Sequence, residues 1–67
     1  MSIEETAIVE LLMAIGRVPH SVNEGISLGH YSKEDGESIK EEAKKTITNL
    51  LGTIGVEPDR IEYFWGL

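Results

Sequence analysis

A chain of 67 residues without a single cysteine has to hold its fold by non-covalent packing alone. A domain this short buries a smaller share of its surface than a longer one, so its margin of stability is thin. Chains of this size usually gain support from disulfides, a metal or a partner chain. Disulfides are excluded here. His20 and His30 are the only borderline-soft metal ligands, which is too few for a zinc site. Association with itself or docking on a larger protein is therefore the support the composition favours. The length leaves room for one domain, residues 1–67.

Six basic against twelve acidic residues give a net charge of −6. That balance argues against nucleic acid, whose binding needs lysine and arginine to displace counterions, and against an anionic membrane surface. No apolar run approaches the roughly 18 residues of a membrane span. The opening Met-Ser-Ile-Glu-Glu is acidic and lacks the basic start of a secretory signal. A cytoplasmic address is the expectation.

Two helices are written clearly. Ser2 followed by Glu5 reads as a capping box, and Ile8, Leu11, Leu12 and Ile15 then recur at the helical period up to a stop at Gly16. Val9 and Met13 lie outside that stripe, so the apolar arc is wider than one packing face needs. The surplus marks either a deeply buried helix or one that also meets a second subunit. The other helix spans about Gly36 to Ile54. Ile39, Ala43, Ile47, Leu50, Leu51 and Ile54 line one face, and Lys40, Glu41, Lys44, Lys45, Thr48 and Asn49 fall mostly on the other. Ser32 or Asp35 serves as its N-cap, and Gly55 is the expected left-handed stop.

The remaining segments are less explicit. Val18-Pro19 implies an extended or turn step, and Ser21 to Glu24 a short helical turn. Gly25 to Tyr31 alternates enough for a short strand, and Ser32 to Gly36 reads as a loop. Glu57-Pro58-Asp59 reads as a turn. Arg60 to Trp65 has the β-branched and aromatic content of a strand, with Ile61, Tyr63 and Trp65 on one side and Glu62 and Phe64 on the other. Tyr63, Phe64 and Trp65 either close the core or form a partner-binding anchor, since aromatics are enriched at interface cores.

Chemistry is sparse. No elbow motif frames a serine beside a base, no glycine run cradles a phosphate, and His30 with Tyr31, Glu34 and Asp35 lacks the spacing of a metal motif. His20 reads as a surface or loop residue. The acidic clusters read as solvated faces, because acid–base work needs a pocket that separates carboxylate pKa values. No catalytic, cofactor-binding or metal-binding residue is assigned, and no cofactor is expected.

From His30-Tyr31, through a charged helix and Leu50-Leu51-Gly52-Thr53-Ile54-Gly55, to Val56-Glu57-Pro58-Asp59-Arg60 and on to Trp65, the chain resembles the C-terminal half of the iron–sulfur (delta) subunit family of methyl-viologen-reducing hydrogenases. That family carries a Cys-His-Tyr step, a helix ending Leu-Leu-x-x-Ile-Gly, a Pro-Glu-Arg turn and a strand reaching a tryptophan. The resemblance implies a helix-and-strand packing and a role as a small subunit docked on a larger assembly. It does not carry over the family's [2Fe–2S] cluster: Gly29 stands before His30, and thiolates hold such clusters.

The expected fold is a small α/β domain, helix-strand-helix-strand, whose two strands would be parallel and joined by a right-handed crossover. The alternative is a mainly helical hairpin with an extended C-terminal tail. The expected function is a non-catalytic protein-interaction module or small subunit that self-associates into a homo-oligomer, with Val9, Met13, Tyr63, Phe64 and Trp65 as partner-binding residues. A ligand-binding or enzymatic domain using His30 and nearby carboxylates, and an acidic nucleic-acid-mimicking inhibitor, are the alternatives. Phe64 and Trp65 are the side chains whose loss is expected to hurt most.

Overall fold

The computed structural model describes residues 2–67 and contains four helices: α1 (Ile3–Ile15), α2 (Val18–Ser27), α3 (Lys33–Gly52) and α4 (Pro58–Phe64). Among the described residues there is no strand, so the α/β expectation is overturned and the mainly helical alternative fits. The C-terminal segment of that alternative is helical as α4 rather than extended.

Each of the two misread segments has a local cause. Pro19 falls in the first turn of α2, where proline's missing N–H has no intrahelical partner to lose. The residue before it is consequently helical rather than extended. Val22 and Ile26, four residues apart, pack against Gly36 of α3, and Gly25 between them lies under the Tyr31 ring, so helical periodicity prevails over the weak alternation of residues 25–31. Gly29, at φ +81°, closes the helix, and the His30 N–H donates back to the Gly25 carbonyl at 2.8 Å. In α4, Pro58 again opens the helix. Ile61, Phe64 and Trp65 are spaced three and four apart and turn inward, while Tyr63 stays 70% exposed. The pairing of Ile61 with Tyr63 on one strand face is therefore replaced by helical spacing.

The two well-marked helices keep their caps. Ser2 Oγ accepts from the Glu5 N–H at 3.1 Å. Ser32, not Asp35, caps α3, its Oγ accepting from the Asp35 N–H at 3.0 Å, so residues 33–36 are helix rather than loop. Gly55 has φ +86°, and the Val56 N–H reaches back to the Leu51 carbonyl. Ser32→Ala is expected to cost about 1 kcal/mol, read as a lower urea midpoint at unchanged slope.

The molecule is elongated, 42 × 18 × 15 Å. Its core sits toward one end, where Leu12 of α1, Leu51 of α3, Val56 and Ile61 of α4 come together, flanked by Ile8, Ile15, Ile47 and Phe64. The N-terminal half of α3 instead pairs with α2, where Gly36 lets the Ile26 side chain approach the α3 backbone. An Arg60–Glu5 ion pair at 2.6 Å ties α4 to α1. His20 Nε2 stands 3.1 Å from the Gly66 carbonyl, so as a donor it clips α2 to the C-terminal turn.

Candidate functional site

The apolar residues of α3 fall on two rows, and the interior takes up only one of them. The inner row is Gly36, Lys40, Lys44, Ile47 and Leu51. Gly36 meets Ile26, Lys40 donates to Asn23 on α2, Lys44 pairs with Glu62 on α4, and Leu51 enters the core. A second row, Ile39, Ala43, Thr46 and Leu50, keeps a 4-3-4 spacing turned away from those contacts. Ile39 is 38% exposed, Leu50 63%, and Ile54 just beyond the helix 60%.

Two shallow depressions run along this second row and share Ile47. One is lined by Ser38, Ile39, Glu42, Ala43 and Thr46 together with Ile47. The other is wholly apolar and lies between Leu11 and Ile15 of α1 and Ile47, Leu50 and Leu51 of α3. They form one surface from the middle of α1 along about 16 Å of α3. Among the described residues the only charged side chain lining either is Glu42.

The residues expected from the sequence to meet a partner are divided by the fold. Met13 and Phe64 line one small depression with Gly16, Arg17 and Leu67. Tyr63 stacks edge-to-face on Phe64, centroids 5.2 Å apart. Trp65 turns toward the α2–α3 side, beside Pro19, Lys40 and Lys44. Val9 is half-buried and lines neither place. Sequence periodicity alone does not single out the outward row of α3, because it places Ile39, Ala43 and Leu50 on one face with Ile47 and Leu51. The signal was present in the 4-3-4 row that Thr46 completes.

Groups with acid–base or ligand chemistry stay dispersed. His30 is exposed, and the neighbouring Tyr31 ring lies over Gly25. Among the described residues no aspartate or glutamate is buried, and Glu5, the one half-buried carboxylate, is occupied by Arg60. No group of three or more His, Asp or Glu side chains is placed to hold a metal among those residues. Gly29 serves the left-handed end of α2. What this surface can do chemically is exclude water against another apolar surface.

No family model, curated protein or solved structure matches the chain. Among the described residues no helix is long and apolar enough to cross a membrane.

Proposed function

We propose that the chain is a non-catalytic protein-interaction module that works as a self-associated subunit. The observation that carries this reading is the second apolar row of α3, continuous with Leu11 and Ile15 and left outside the core. Contiguous apolar surface rimmed by polar residues marks interaction sites on small proteins. The core it leaves behind is small: among the described residues Leu12, Val22, Leu51, Val56 and Ile61 are its buried aliphatic side chains. A domain with so little interior gains most from burial against a partner. The Met13–Phe64 depression is a second, smaller opening, of mixed lining with Arg17 at its edge.

Sedimentation velocity over a concentration series tests the reading. The sedimenting mass is expected to rise above the 7.4 kDa of one chain as concentration increases. A single-chain mass at every concentration, up to near-millimolar, removes self-association.

A further inference from the structure

We infer that the outward row of α3 pairs antiparallel with the same row of a second copy, about a two-fold axis that passes between Ala43 and Thr46. This inference rests on the self-association proposed above and adds the face, the orientation and the register.

The first argument is area. The chain exposes 4876 Å², whereas a compact monomer of 7.4 kDa exposes about 4,200 Å². The excess, about 700 Å², is close to the ~800 Å² that each partner contributes to a standard interface. The excess belongs to the elongated molecule as a whole, 42 × 18 × 15 Å, and gives it surface to spare of the order that one partner contributes to a dimer.

The second argument is self-complementarity. A two-fold interface brings each residue i against j and each j against i. With the axis between Ala43 and Thr46, Ile39 of one copy meets Leu50 of the other, and Ala43 meets Thr46. Large side chains then oppose large ones at both ends, and the two small residues at the centre let the helices approach closely. The 4-3-4 spacing is that of a two-helix seam. Ile39 of one copy falls at the apolar depression between Leu11, Ile47 and Leu50 of the other, and the same fit is made twice.

The third argument is charge. The acidic first turn of α3 carries Glu34 and Asp35. Antiparallel pairing keeps these turns at opposite ends, whereas a parallel pair would stack them and repel. In the stated register Glu42 falls beside Asn49 of the second copy rather than beside its own counterpart.

Because the chain has no cysteine, introduced ones report the geometry cleanly. Ile39→Cys and Leu50→Cys chains are mixed, allowed to exchange, oxidised and separated by mass. The mixed 39–50 disulfide is expected to outweigh either like-with-like product. Two residues at position 39 would lie about 16 Å apart along the pair, beyond the ~7 Å that a disulfide spans between Cα atoms. Ile39→Glu, at an exposed position, is expected to raise the dimer dissociation constant at least ~30-fold, roughly the threshold of an interface anchor, with far-ultraviolet circular dichroism unchanged. Like-with-like disulfides in excess, or undisturbed dimerisation of Ile39→Glu, would overturn this face and register while self-association stands. A wild-type chain that stays single overturns both.

Discussion

Leu12→Ala is expected to leave most of the chain unfolded at room temperature. Leu12 has no exposed surface and sits where α1, α3 and α4 converge, in contact with the group formed by Leu51, Val56 and Ile61. Removing a buried leucine side chain costs about 2–5 kcal/mol, from lost transfer free energy and from the cavity left behind. A single small core rarely supplies more than about 3–5 kcal/mol in total, so the loss is comparable to the whole stability. Ile61→Ala, at a position 1% exposed on α4, is expected to act the same way. Phe64 and Trp65 are only half-buried, which moves the largest effect from the aromatic tail to these two aliphatic positions. Circular dichroism at 222 nm through a urea titration is the measurement. A Leu12→Ala chain with a wild-type midpoint would mean that the three helices do not meet at this residue. Dimerisation by wild type would partly mask the effect by mass action, so the titration belongs at low protein concentration.

The helices legible in the sequence were those whose apolar repeat is long enough to exceed local signals. In α1 and α3 the period of 3.6 persists over three or more turns, and Ser2, Ser32 and Gly55 mark limits that the backbone obeys. The two short helices were obscured by proline and glycine. Pro19 and Pro58 both disfavour helix in the residue before them, yet both are compatible with the first helical turn. Only tertiary packing decides between these effects, with Val22 and Ile26 against α3, and Ile61 in the core. The aromatic content of residues 60–65 has strand propensity, but a strand needs a neighbour to pair with, and no second strand exists among the described residues. Of the candidate surface, the surplus of apolar side chains was readable, and its position was not. Periodicity says that Ile39, Leu50 and Leu51 share a broad face. It does not say that α2 and α4 cover only the side of that face bearing Gly36, Lys44 and Leu51.

Gly16→Val is expected to destabilise the chain strongly, and Gly16→Ala measurably, for a reason unrelated to helix termination. The sequence places Gly16 at the end of α1, and it does end that helix, but its backbone there is right-handed, φ −61° and ψ −18°, a conformation open to any residue. What requires glycine is proximity. A Cβ there would run into the carbonyl oxygen of Phe64, where the end of α4 lies across the end of α1. The Gly66 N–H donates to the Gly16 carbonyl at 2.9 Å and fixes that approach. The obstacle is backbone, so it cannot rotate aside, and relief means moving α4 away from Leu12. Overpacking of this kind costs about 1–3 kcal/mol, with valine's two extra methyl groups at the upper end. Gly36→Ala is expected to cost less, because the atoms it meets, Cδ1 and Cγ1 of Ile26, belong to a side chain and not to backbone. Gly52→Ala meets nothing within 4 Å at the end of α3 and is expected to stabilise by about 0.4–1 kcal/mol through the unfolded chain. The same glycine-to-alanine change should therefore move the urea midpoint down at Gly16 and up at Gly52. If the two variants shifted together, glycine would be acting at Gly16 through chain entropy, and the seat of α4 on α1 would have to be redrawn.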